Sequence, residues 1–203
     1  MAIISKSPYR ISLLGGSSDL DWYVNQKGQG ICLGFSIKLY SRVLIASKGS
    51  GDIGILNYSS REEYNDIESI SHPIIRSSLK RFLLNKKIEL CSIGEILSGS
   101  GLGSSSSFSV ALIKSISELE NLKMDNHEIA HIASEIEISD LGNPIGRQDQ
   151  YFSALGGINI LEFKPKGIVR NLNYPKIVEA VESFSNNLYL INTSIRRNAN
   201  EKL

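Results

Sequence analysis

The sequence predicts an α+β domain, on two observations. Runs rich in Ile, Val, Leu, Phe and Tyr are mixed with amphipathic runs, without the regular alternation of a doubly wound parallel sheet. Between an apolar run and an amphipathic run lies Gly99-Ser100-Gly101-Leu102-Gly103-Ser104-Ser105-Ser106-Ser107, a tract with almost no apolar surface. The chain has 203 residues, 41% of them hydrophobic and 21% charged, enough for a full core.

The elements follow in order. Ile3 to Ser12 reads as a strand running into a turn at Gly15-Gly16-Ser17-Ser18. Ile31 to Ala46 reads as one long strand or a hairpin arm, and Asp52 to Ser59 as a further strand. From Ser71 the period becomes helical, with Ile74, Ile75, Leu79, Phe82 and Leu83 on one face and Pro73 early, where a helix tolerates it. Ile88 to Ile96 is a short strand leading into the Gly/Ser tract. The helix after the tract carries Phe108, Ala111, Leu112, Ser115, Leu119 and Leu122 at 3-4 spacing. Asp125 is a fitting N-cap for the next helix, whose apolar face is Ile129, Ile132, Ala133 and Ile136. That helix stops near Leu141-Gly142-Asn143-Pro144. A helical turn from Arg147 to Ala154, a hairpin of Ile158 to Phe163 with Gly167 to Leu172, a helix over Ile177 to Phe184 and a strand over Leu188 to Asn192 complete the reading. The polar stretch Asn198 to Leu203 carries no cap and reads as an interruption, so the chain is expected to be part of a longer protein.

The Gly/Ser tract carries the chemistry. Glycines allow close backbone approach and positive φ, and a helix starting at the end of the loop adds free N–H groups and the positive end of its dipole. The tract is thus a phosphate cradle. It is no P-loop, because no Gly-Lys-Ser/Thr follows, and Ser104 stands where the dinucleotide fingerprint needs its last glycine. A flexible linker has the same composition, but the strand–loop–helix setting argues against one.

The bulk properties exclude other classes. A net charge of +1 with no basic stripe speaks against generic nucleic-acid binding and charge-driven membrane binding. Cys32 and Cys91 are far apart and form no C-x-x-C, as befits bystander thiols in a reducing compartment. There is no signal-peptide pattern and no apolar run of membrane-spanning length, so the expected location is the cytoplasm.

Three ordered segments resemble the GHMP kinases (galacto-, homoserine, mevalonate and phosphomevalonate kinases). Ser7-Pro8-Tyr9-Arg10-Ile11-Ser12-Leu13-Leu14-Gly15-Gly16-Ser17-Ser18-Asp19 resembles their N-terminal motif. Gly99 to Ser105 resembles their second motif, and Gly142-Asn143-Pro144-Ile145-Gly146-Arg147-Gln148-Asp149-Gln150-Tyr151 the segment with the catalytic aspartate. The wording around Gly15-Gly16, Asp19 and Gln148 to Tyr151 is closest to the sugar-kinase branch that includes D-glycero-D-manno-heptose 7-phosphate kinases. The resemblance implies a ribosomal-protein-S5-domain-2-like N-terminal domain over 1–185 and only the start of a ferredoxin-like C-terminal domain over 186–203, with Asn192 to Arg197 leading into it.

It also implies roles. Gly99, Ser100, Gly101, Leu102, Gly103, Ser104, Ser105 and Ser106 would wrap the ATP phosphates, and Ser105 and Glu137 would ligate Mg²⁺. Asp149 would sit by the attacking hydroxyl as base or orienting group, with Arg10 paired to it and stabilising the transferring phosphoryl group. Asp19 and Gly16 would serve a sugar or sugar-phosphate substrate. The resemblance leaves a homodimer open. Three departures stand out: Leu97 in place of the usual proline, Ser106 and Ser107 in place of small apolar residues, and no third, C-terminal glycine-rich motif. A truncated nucleotide-binding protein without turnover is accordingly one alternative.

The other is a zinc protease. His127-Glu128-Ile129-Ala130-His131 matches H-E-x-x-H, with both histidines on one helix face. No metzincin extension follows, Glu135 and Glu137 lie too close along the same helix to close a tetrahedral site, and Asp125 and Glu128 serve equally as first-turn acids.

Overall fold

The computed structural model describes residues 2–48, 53–82, 86–96, 99–185 and 187–191. Leu83, Leu97 and the expected domain entry at Asn192 to Arg197 lie outside the described residues. The architecture is mixed α and β, as the sequence predicts: a seven-stranded sheet with helices packed on it.

Strand β1 (Ala2–Leu14) pairs antiparallel along one edge of β2 (Gly30–Ser47), which is one continuous strand. Along its other edge β2 pairs with β5 (Ile88–Gly94) through residues 41–47 and with β6 (Ile158–Lys164) through residues 30–35. Strands β3 (Gly54–Asn57) and β4 (Arg61–Tyr64) extend the sheet beyond β5, and β7 (Ile168–Leu172) extends it beyond β6. Among the described strands, β3 and β5 alone run parallel. Side chains of β1 alternate, with Ile3, Ser5, Ser7 and Tyr9 buried and Ile4 and Lys6 exposed, so helices cover one face of the sheet.

Helix α1 (Asp21–Lys27) follows the first turn, and α2 (Pro73–Arg81) has Pro73 at its start as expected and packs against the turns at Ile67–Ser69 and Ile136–Asp140 and the helix over Ser104–Leu119. Helix α3 (Ser104–Leu119) is the central helix and lies across β1 and β2. Val110, Leu112, Ile113 and Ile116 fill the core with Val43, Ile45, Leu90 and Leu161. Two of its serines face the sheet with their hydroxyls satisfied: Ser107 Oγ donates to the Ser7 carbonyl at 2.8 Å and Ser115 Oγ to that of Val43 at 3.3 Å. Helix α4 (Asn126–Glu135) opens on the expected Asp125 cap, a full capping box with Glu128, and runs into a π-helical turn over Ile136–Asp140. Helices α5 (Gln148–Leu155) and α6 (Pro175–Ser185) are the last helices among the described residues.

One expected strand is absent. Leu188 to Ile191 pair with no sheet, and Tyr189 and Ile191 are 91% and 81% exposed. An apolar run forms a strand only against a sheet edge that accepts its N–H and C=O groups, and no described edge does so here.

Candidate active site

Arg10 and Asp149 meet across the fold. The β1–β2 register shifts between Pro8 and Arg10, an irregularity that re-aims the strand beside α5. Arg10 Nε donates to Asp149 Oδ1 at 2.6 Å and its Nη2 donates to Oδ2, a two-pronged ion pair that is 13% and 26% exposed. The same guanidinium holds the Gly/Ser loop, with Nη1 donating to the Gly101 carbonyl at 2.8 Å while the Arg10 backbone N donates to the Leu102 carbonyl at 3.1 Å. Gly99, Gly101 and Gly103 all have positive φ. At Gly103 a Cβ would stand 3.2 Å from Arg10 Cγ, so glycine lets the loop close onto that side chain. Gly103 is also the residue before α3, so the free N–H groups of a 16-residue helix begin where the loop ends. Ser106 is buried in the core, which leaves its backbone N–H as its contribution to the loop.

Ser105 and Glu137 also come together. Ser105 Oγ donates to Glu137 Oε2 at 2.8 Å; Ser109 Oγ and Gln150 Nε2 donate to Oε1 at 3.1 and 2.8 Å. Glu137 lies in the π turn, a helix irregularity typical of functional sites, and is 2% exposed. Burial raises its pKa, the three hydrogen bonds oppose that, and the charge of Asp149 adds to it. A hydroxyl beside a buried carboxylate is a hard-oxygen pair, and a divalent cation there would favour the charged form of Glu137. The donor set fits Mg²⁺, which needs few protein ligands when phosphates and waters supply the rest.

Beside Asp149 lies a pocket of about 140 Å³ lined by Arg10, Ser17, Asp19, Leu20, Ile145, Gly146, Gln148 and Asp149. Asp19 is 2% exposed and accepts from the Gln148 backbone N and from Gln148 Nε2, both at 2.9 Å. Burial lifts its pKa to about 6; the Gln148 backbone hydrogen bond opposes this and Asp149 reinforces it. Gln148 Oε1 in turn accepts from Ser12 Oγ at 2.7 Å. Gly16 does not line the pocket, and a Cβ there would meet nothing closer than 3.9 Å. The tight glycine is Gly146, where a Cβ would fall 1.9 Å from Asp19 Oδ2.

Gly146, Gln148 and Gln150 therefore belong to the site, although only their place beside Asp149 in the sequence marks them. The two neighbouring acids of the helix end separate cleanly: Glu137 faces Ser105, whereas Glu135 pairs with Arg147 at 2.6 Å. His127 and His131 are exposed, and Glu128 is engaged in the capping box with Asp125 at 2.8 Å in both directions. No group of three His, Cys, Asp or Glu able to hold a metal occurs among the described residues. The H-E-x-x-H spacing is the start of a capped helix here.

A glycine loop at a helix N-terminus, a hydroxyl–carboxylate pair and a forked Arg–Asp pair beside a polar pocket have the layout that binding a phosphate group would need in a small-molecule kinase. Residues 73–157 match the family described as GHMP kinases N terminal domain. The chain is 34% identical over 175 residues to D-glycero-alpha-D-manno-heptose 7-phosphate kinase of Campylobacter jejuni, which covers 79% of this chain and 50% of that protein. Among solved structures it resembles a D-glycero-D-manno-heptose 1-phosphate kinase from Bacteroides thetaiotaomicron, with TM-score 0.76 and 28% identity over 87% of this chain and 61% of that one. A putative sugar kinase from Campylobacter jejuni matches with TM-score 0.70 and 31% identity over 88% and 61%. The chain carries a GHMP kinase N-terminal domain and is a partial member of that family. It spans about half the length of the curated relatives it matches.

Proposed function

We propose that this chain supplies the ATP-binding and acceptor-orienting half of a kinase that transfers the γ-phosphoryl group to a hydroxyl of a sugar phosphate, of the heptose 7-phosphate type. The observation that carries the reading is the Arg10 guanidinium, which holds Asp149 on one side and the Gly101 carbonyl of the cradle on the other. One side chain thus fixes the distance between the phosphate loop and the acceptor carboxylate. Positioning and charge are what phosphoryl transfer asks of a protein.

In this scheme the N–H groups of Gly99 to Ser105 bind phosphate oxygens. Ser105 and Glu137 would hold Mg²⁺, which when bound would neutralise phosphate charge. Asp149 accepts a hydrogen bond from the attacking hydroxyl and takes its proton. Arg10 keeps N–H groups on Nη1 and Nη2 beyond those already used, and these face the developing charge of the transferred group. Asp19 accepts from neighbouring sugar hydroxyls. No described helix is long and apolar enough to cross a membrane, and we place the protein in the cytoplasm.

An ADP-release screen over sugars and sugar phosphates, run beside calorimetric ATP binding, tests this. Turnover with a heptose phosphate and none with non-sugar alcohols is expected. ATP binding with no turnover on any acceptor would favour the truncated, silent alternative.

A further inference from the structure

Three carboxylates make the site, and each lies two residues from a member of one ion cluster. Asp19 is followed by Asp21, Glu137 is preceded by Glu135 and Asp149 by Arg147. Arg147 joins the other two: its Nε and Nη2 donate to Asp21 at 3.3 and 3.1 Å, and its Nη1 donates to Glu135 at 2.6 Å. The Arg147 side chain is 7% exposed, Glu135 24% and Asp21 50%. Two residues along a helix turn a side chain by roughly 200°, to the opposite face. Arg147 accordingly points away from the pocket where Asp149 points in, and Glu135 points away from Ser105 where Glu137 points to it.

We propose that Arg147 is a positioning residue, whose forked pairing with Asp21 and Glu135 sets the separation of the three site carboxylates from behind. The cluster ties the start of α1 to the end of α4 and the segment leading into α5, which lie more than a hundred residues further along the chain. Gln148, the next residue, then donates from its backbone N to Asp19. A purely stabilising role does not call for a charge at the buried Arg147, because the charged partners of an ion pair are commonly replaced by apolar side chains without loss of stability. A planar fork that fixes two acids at set angles is what positioning calls for.

This inference rests on the proposed phosphoryl transfer, so its test has two separable readouts. The triple variant Arg147→Met, Asp21→Asn, Glu135→Gln leaves no unpaired buried charge. In it, the unfolding temperature should stay within a few degrees of the parent. The Asp19 carboxyl, followed by ¹³C NMR titration, should move from about 6 toward the ordinary aspartate value as its burial loosens, and kcat should fall about 10- to 100-fold with ATP binding retained. An unchanged Asp19 midpoint, or an unchanged kcat, in the folded variant overturns the role of Arg147. A parent chain that phosphorylates no sugar would instead sink the functional reading, and the Asp19 titration would still decide on Arg147.

Discussion

Gly146→Ala tests the acceptor pocket at its tightest point. The added methyl would fall 1.9 Å from Asp19 Oδ2, 2.3 Å from Cγ and 2.7 Å from Oδ1, against an ordinary contact of 3.4 Å or more. Something must move by about 1.5 Å, the difference between 3.4 and 1.9 Å. Asp19 cannot swing aside without breaking both hydrogen bonds from Gln148, and the 142–147 segment cannot shift without moving Asp149. A misplacement of about 1 Å costs up to ~10² in rate, so kcat/KM for the acceptor should fall about 100-fold, or about 2.7 kcal/mol. Overpacking should lower stability by about 1–3 kcal/mol. Steady-state kinetics with the acceptor varied, and calorimetry with ATP, separate the two ligands, because the phosphate loop is untouched. Gly28→Ala is the control: its φ is +82° and no atom lies within 4 Å of a Cβ there, so it carries only the left-handed backbone penalty of about 1–2 kcal/mol. An unchanged acceptor KM and kcat in Gly146→Ala would refute the placement of Asp19 in the acceptor site.

Other expectations follow from the same geometry. The Asp19 carboxyl rises from 3.8 to about 6 on folding, so the native state holds more protons than the unfolded one across that window. Its stabilising effect is complete below about pH 4 and is lost as pH rises through 6, amounting to about 3 kcal/mol at 1.36 kcal/mol per unit; Asp19→Asn should remove that slope from pH-dependent denaturant unfolding. In kinetics, acceptor KM should rise as pH falls below 6 in the parent, and a flat profile there would contradict a role for ionised Asp19. Gln150→Leu removes a 2.8 Å donor from buried Glu137 and should push its pKa further up, weakening Mg·ATP binding by about tenfold in calorimetry, in line with ~1.5 kcal/mol for a hydrogen bond to a charged group. Asp125→Ala should lower the unfolding free energy by about 1 kcal/mol through loss of the capping box. His131→Ala should leave zinc content by metal analysis and stability as they are, whereas loss of stoichiometric zinc would revive the protease reading.

Much of this was legible in the sequence where a local pattern decides the structure. The β-branched and aromatic run of β2, the apolar face of α3 and the Asp125 cap each follow from nearest neighbours in the chain. So does the pairing of the loop with Arg10, Glu137 and Asp149, once the three segments are set beside a known family. Tertiary context decided the rest. Arg61-Glu62-Glu63-Tyr64 looks too charged for a strand, yet it lies at the sheet edge, with Tyr64 turned inward and Arg61 and Glu63 in solvent. Helix α1 has no side-chain cap at Leu20, so nothing announces its start. Leu188 to Ile191 has strand composition but no edge to join. The roles of Gly146, Gln148 and Arg147 depend on side chains more than a hundred residues away, Asp19 and Asp21, and no local period encodes such contacts.

The central claim is that Arg10 binds one machine together, with the cradle on one side and Asp149 on the other. Asp149→Asn, assayed for both ATP binding by calorimetry and phosphoryl transfer by ADP release, tests it most directly. The account predicts that nucleotide binding survives within a few fold while transfer to the sugar phosphate falls by three orders of magnitude or more (~4 kcal/mol). Transfer at the parent rate in that variant would contradict it.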